Sequence, residues 1–278
     1  MLFSVFLETL KILALVFLIM VAVELVEVRF GKGLQRGLGT AGIRQYAVAS
    51  GLGVVPGCVT AFLVVSLYKA GLVGFGALAA VMLATAGDEA FVMLAVMPRI
   101  SLVIFALCFV VGVIGAGGAD LLVRRLRLRL CEACGAEIHT EEQARLSWSH
   151  FLRAHIYGHI VRRHLLPLFL WLFLTLIVLR VADEHIDLRA VLPDSAFLLV
   201  LIAALIGLVP ESGPHVVFVL LFAEGLIPFS VLAASSIAQD GHGVLPLLAY
   251  APKDVAYVKA YTSAVGLGVG LLLLALGL

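Results

Sequence analysis

Two hexapeptides decide the reading of this chain: G-V-V-P-G-C at residues 53–58 and G-L-V-P-E-S at residues 207–212. The step between them also separates G-L-V-G-F-G-A-L-A-A (71–80) from G-L-I-P-F-S-V-L-A-A (225–234), and A-T-A-G-D-E (84–89) from A-Q-D-G-H-G (238–243). Residues 53–99 laid over 207–253 need no insertion. Gly53, Pro56, Gly71, Gly87 and Pro98 fall on Gly207, Pro210, Gly225, Gly241 and Pro252. Apolar composition would match Leu with Val by chance, but it would not match the helix breakers. Self-similarity at a fixed step marks an internal duplication.

The breakers also say what the repeated unit is. Before Pro56 there is room for a helix over about 44–54, and after it for one over about 58–68. Each is shorter than the roughly 20 residues a bilayer crossing needs. The same holds around Pro210 and Pro214. Two half-length helices joined at a Pro/Gly tip predict a re-entrant hairpin, whose irregular backbone survives at membrane depth only against protein or a watery cavity.

Composition sets the solvent. Hydrophobic residues make up 63% of the chain and charged residues 13%, with a mean hydropathy of +1.15, where a soluble domain is roughly half apolar. Apolar runs at 10–28, 72–97, 102–123, 165–181, 196–209, 226–250 and 258–278 reach or approach a membrane span. They contain Gly and lack strand-like alternation, which predicts helices rather than a barrel. The first 28 residues lack a basic start and a small-residue cleavage site, so they are expected to stay as a helix carrying Glu8, Lys11 and Glu24. A net charge of +1 gives no electrostatic case for nucleic acid. The four cysteines do not form a secreted disulfide pattern: Cys58 and Cys108 stand alone in apolar runs, and Cys131 and Cys134 form a C-x-x-C in a polar loop.

Charge orients the halves. Arg29, Lys32, Arg36 and Arg44 occupy 29–44 without an acid, so that segment is expected in the cytoplasm. The matching 182–194 carries Asp183, Glu184, Asp187 and Asp194 against Arg189, and is expected outside. Basic residues in 124–129 put the central loop inside. These signs fit together only if each hairpin returns to the side it entered from. The predicted fold is an all-α integral membrane protein: an inverted 5+5 repeat with two re-entrant helical hairpins and broken helices. Its parts are a first membrane repeat (1–123), a cytoplasmic Cys/His-rich loop (124–164) and a second membrane repeat (165–278).

The polar residues that lipid makes expensive gather at equivalent depths. Asp88 and Glu89 lie within 72–97; Gln239, Asp240 and His242 lie within 226–250, just after Ser235 and Ser236. Each group is hinged at Gly87 or Gly241. An acid at the helix centre costs about 2.5–3.5 kcal/mol on insertion scales, so it implies a partner or a function. The structural reading is a buried Asp88–His242 pair holding the halves together. The functional reading is a cation site: carboxylates, an imidazole and side-chain oxygens suit a divalent transition ion such as Mn²⁺, Fe²⁺ or Zn²⁺. The hairpin tips add Cys58 and Ser212 at equivalent positions, with Glu211 and His215 nearby; these could instead pack against or cap the half-helices. In the loop, Cys131 and Cys134 precede His139, His150, His155, His159 and His164. Thr140 and Gln143 have capping-box spacing, and on the helix they start His155 and His159 share a face, as metal-binding pairs require. The competing reading is a polar juxtamembrane helix meeting lipid headgroups.

G-V-V-P-G-C, A-T-A-G-D-E-A-F (84–91), P-E-S-G-P-H (210–215) and S-S-I-A-Q-D-G-H-G (235–243) together resemble the ten-helix heavy-metal exporters, a family whose members also carry the label manganese transporter. The resemblance covers nearly the whole chain and implies a bacterial inner-membrane exporter of heavy-metal or metalloid species. The function expected is therefore not an enzyme but a secondary transporter. It would carry a divalent metal outward with protons as counter-ion, since no P-loop is present to couple ATP. Its expected partners are the bilayer and a small inorganic ion, with a homodimer left open and no separate cofactor. A second reading is an anion carrier, in which Ser212, Gly213, Ser235 and Ser236 cradle phosphate, arsenate or an organic anion at half-helix N-termini. A third, from another class, is an intramembrane aspartyl hydrolase using Asp88 and Asp240.

Overall fold

A computed structural model describes residues 2–38, 42–128, 130, 165–185, 195–248 and 250–278. The loop residues Cys131, Cys134, His139, His155 and His159 lie outside the described residues. Every regular element among the described residues is a helix. In chain order these are α1 (Leu2–Leu38), α2 (Ile43–Val54), α3 (Val59–Lys69), α4 (Phe75–Ala84), α5 (Glu89–Val96) and α6 (Pro98–Leu126). There follow α7 (Leu166–His185), α8 (Ala196–Ile206), α9 (Gly213–Ala223), α10 (Phe229–Ala238), α11 (Leu245–Leu248) and α12 (Pro252–Ala275). Counting α4–α5 and α10–α11 each as one interrupted helix, the described residues hold ten.

The breakers act where the sequence puts them. Pro98 and Pro252 open α6 and α12 in the first turn, where a missing N–H costs nothing. Pro56 sits in the gap between α2 and α3, and Pro210 in the gap between α8 and α9. With 12, 11, 11 and 11 residues, α2, α3, α8 and α9 are about 16–18 Å long at 1.5 Å per residue. None of them covers the roughly 30 Å hydrocarbon layer. Four stretches of the described residues are long and apolar enough to do so: Leu2–Ala22, Phe75–Val96, Pro98–Leu126 and Pro252–Ala275.

The two halves repeat this backbone closely. Moved by the step from Gly53 to Gly207, the bounds of α3 and α4 fall on those of α9 and α10. The dihedrals agree as well: Met97 (φ −142°, ψ 68°) and Ala251 (φ −139°, ψ 66°) turn the chain into α6 and α12 alike.

Packing places α4 and α10 at the centre. Every residue of α4 is buried, and all of α10 but Phe229; helices apolar all round belong inside. α6 and α2 flank α4 as α12 and α8 flank α10. The halves also interlock, because α9 packs on α5 and α3 on α11. Small residues permit the closeness. At Gly53 a Cβ would stand 2.6 Å from the Val81 carbonyl oxygen, and at Gly207 2.5 Å from the Ala238 Cβ. The outer helices turn large apolar side chains outward instead, among them Leu18, Leu102, Ile114 and Leu272. That face suits acyl chains and not water. The chain is an all-α integral membrane protein.

Candidate functional site

Both central helices come apart at matching points. α4 ends at Ala84 and α10 at Ala238, and the residues after them leave the helix: Thr85 (φ −83°, ψ 131°) and Gln239 (φ −79°, ψ 149°). Two positions further on, Gly87 (φ 53°) and Gly241 (φ 51°) adopt the left-handed conformation that side chains resist. The runs at 72–97 and 226–250 are therefore each a broken pair of helices, and the second piece, α11, is only four residues long.

The two breaks touch. A Cβ built on Gly87 would lie 3.5 Å from the Gly241 Cα and 2.5 Å from Ser212 Oγ; one built on Gly241 would lie 2.8 Å from the same hydroxyl and 3.8 Å from Cys58 Sγ. Equivalent residues also bond across the contact, since Gln239 Nε2 donates to the Thr85 carbonyl at 3.5 Å. The turns between α2 and α3 and between α8 and α9 complete the wall. Cys58 and Ser212 occupy the cap positions of α3 and α9, yet neither caps its own helix through its side chain. Ser212 Oγ instead accepts the backbone N–H of Asp88 at 3.4 Å. The N-termini of α3, α5 and α9, each a partial positive charge, thus meet at one buried crossing.

The acids spread outward from this crossing. Glu89 is fully buried; Ser236 Oγ donates to its Oε1 at 3.3 Å, while Oε2 has no hydrogen-bond partner among the described residues. Asp240, 1% exposed, is ion-paired through Oδ1 to Lys259 of α12, and its Oδ2 is likewise unmatched. Lys259 Nζ also donates to the Gly207 carbonyl at 3.0 Å, at the end of α8. His242 Nε2 pairs with Glu211 Oε2 at 3.1 Å, both partly exposed. His215 is fully buried, its Nδ1 2.8 Å from Ser235 Oγ. A groove of about 400 Å³ runs between α11, α12 and the turn that joins α8 to α9, and among the described residues that line it Lys259 is the charged one.

Of the residues singled out from sequence, Asp88, Cys58, Ser212 and Gln239 come together at the breaks. Asp240, Glu89, His242 with Glu211, and His215 point to partners around them. His242 is paired with Glu211, which lies in the turn between α8 and α9. No three His, Cys, Asp or Glu side chains among the described residues gather tightly enough to hold a metal ion as they stand. Sequence reading missed Lys259. The signal was there: a lysine inside the apolar run ending the chain needs a buried anion, and the second half has an acid at matching depth.

The sequence model of the family described as "Putative, 10TM heavy-metal exporter" matches the chain twice, over residues 4–144 and 134–276. No curated protein and no solved structure matches it. The chain belongs to this family of multi-pass membrane transporters.

Proposed function

We propose that this family member is a secondary transporter that carries a divalent transition metal (Mn²⁺, Zn²⁺ or Fe²⁺) out across the bacterial inner membrane in exchange for protons. The observation that supports it most is the contact of Gly87 with Gly241 inside a wall made by Cys58, Ser212, Thr85 and Gln239. Unwound backbone at membrane depth needs a protein-lined or watery cavity. In transporters with internal repeats, interrupted helices at the midplane are where solute binds. Equivalent residues meeting each other suit a pseudo-two-fold axis at the crossing. With the basic and acidic loops, that axis gives an inverted five-plus-five arrangement in which α2–α3 and α8–α9 are the re-entrant hairpins.

In this reading Asp88, Glu89 and Asp240 supply carboxylate oxygens, Gln239 a carboxamide, and Cys58 and Ser212 the tip ligands. Asp240 and His242 exchange Lys259 and Glu211 for the ion as it loads. Rocking of the hairpins against the outer helices then alternates access. Protons are the counter-ion in this reading, and the sequence has no P-loop through which ATP would couple directly. In this reading Cys131, Cys134, His139, His155 and His159 sense or deliver metal rather than transport it.

The anion reading draws on one observation of its own: a buried ammonium, that of Lys259, stands at the second break, where an oxyanion would find a positive charge. The buried acids weigh against it. A hydrolase needs Asp88 and Asp240 to share a proton, and Asp240 is engaged by Lys259. Inside-out vesicles separate the transport readings. Accumulation of Mn²⁺ or Zn²⁺ driven by an acidic lumen is expected; accumulation of arsenate or phosphate without metal would transfer the function to anions.

A further inference from the structure

Asp240 and Lys259 form a pair that the shared backbone does not require. In the first half, Ala86 stands where Asp240 does and Phe105 where Lys259 does. Yet Gly87 and Gly241 turn with nearly the same φ, and α4 and α10 end at equivalent residues. A break of this shape therefore forms without an ion pair, so the pair serves something besides holding the fold.

The ammonium's surroundings say what. Lys259 Nζ sits between a carboxylate oxygen of Asp240 and the Gly207 carbonyl, which α8 leaves unpaired at its C-terminus. Asp240 Oδ2 is buried there without a hydrogen-bond partner among the described residues. A cation in place of Nζ would meet Asp240 Oδ1 and the Gly207 oxygen, with Oδ2 of the same carboxylate still unmatched, and oxygens are the donor class that suits a hard or borderline metal ion. The lysine has somewhere to go, because its flexible stem borders the groove lined by Leu208, Pro210, Val244 and Val255. We infer that Lys259 is a tethered competitor: its ammonium occupies the Asp240–Gly207 oxygen site, and the transported metal ion binds there by displacing it into the groove. This rests on the cation-transport reading above. It adds that the chain carries its own substitute cation, which keeps Asp240 from standing unpaired in an apolar interior. It also links the loading of the break to the tip of the second hairpin through Gly207.

Equilibrium binding of Mn²⁺ to the purified full-length protein tests the inference. A binding-competent state that is only partly populated weakens apparent affinity by its fraction, so Lys259→Met is expected to bind Mn²⁺ about tenfold or more tightly than wild type. Lys259→Arg, which keeps the charge, is expected to bind no more tightly than wild type. Folded Lys259→Met with unchanged or weaker affinity overturns the inference and leaves the transport reading intact. Wild type that binds neither Mn²⁺ nor Zn²⁺ removes both. Arsenate binding that is lost in Lys259→Met makes the lysine an anion ligand and overturns the inference. Should Lys259→Met fail to fold, the wild-type protein supplies the decision through amine acylation followed by mass spectrometry. Lys259 is expected to react faster in saturating Mn²⁺ than without it, and equal rates overturn the proposal. A lysine that only braced the fold would not change its reactivity with metal.

Discussion

The break after α4 and the break after α10 share a backbone and differ in nearly every polar group. Thr85 and Gln239 extend alike, and Gly87 and Gly241 turn alike. Yet the first half sets Ala86, Asp88 and Glu89 where the second sets Asp240, His242 and Gly243. Only the second has a lysine on the neighbouring long helix. The difference teaches that a frame with two matching unwound points tolerates different chemistry at each. One half brings Glu89, held by the uncharged Ser236 hydroxyl; the other brings Asp240, already paired with a cation.

That contrast predicts different outcomes for similar substitutions. Asp240→Asn strands the Lys259 ammonium in a buried site and is expected to cost about 3–5 kcal/mol of stability along with all metal flux. Adding Lys259→Met should restore stability but not flux. Glu89→Gln is expected to lose flux without that penalty, because its neighbour Ser236 carries no charge. Thermal unfolding in detergent beside vesicle flux reads all three, and an equally destabilised Glu89→Gln would break the distinction.

The glycines sharpen the shared part. Gly87→Ala and Gly241→Ala each incur about 1–2 kcal/mol for left-handed backbone. Gly87→Ala should be the worse, since its Cβ meets Ser212 Oγ at 2.5 Å against 2.8 Å from Gly241. Ser212→Gly is expected to relieve the steric part in both. Unfolding temperatures check the order. The smallest expected effect lies away from the breaks. Tyr68 of α3 donates to Asp254 Oδ2 of α12 at 2.8 Å, tying one half to the other. Tyr68→Phe should lower stability by about 1 kcal/mol and leave flux near wild type. A large flux loss there would mean the halves are coupled through α3 and not only through the breaks.

Much of the frame was legible because it is written in breakers. Pro56, Pro98, Pro210 and Pro252 stand in the gaps or open the helices where the sequence puts them, and Gly87 with Gly241 marks both interruptions. The short α11 was not legible. Residues 244–250 are as apolar as a helix would be, but the chain turns through 240–245, Gly243 N–H donating to the Asp240 carbonyl and Leu245 N–H to that of His242, before α11 begins. The site was readable by residue and not by partner. Asp88, Cys58, Ser212 and Gln239 meet because equivalent depths in a duplicated frame converge. The pairing of His242 with Glu211, and of Asp240 with Lys259, depends on side-chain direction between separate segments, 31 and 19 residues apart, which spacing along one segment does not encode.

The central claim is that the two helix breaks, brought into contact, hold the travelling ion. Diffraction from crystals grown with Mn²⁺, collected at the manganese edge, tests it most directly. An anomalous peak is expected beside Gly87 and Gly241, within ligand reach of Asp240 and Asp88. A peak confined to the Cys131–His159 loop, with nothing at the breaks of a protein that still transports, would contradict it.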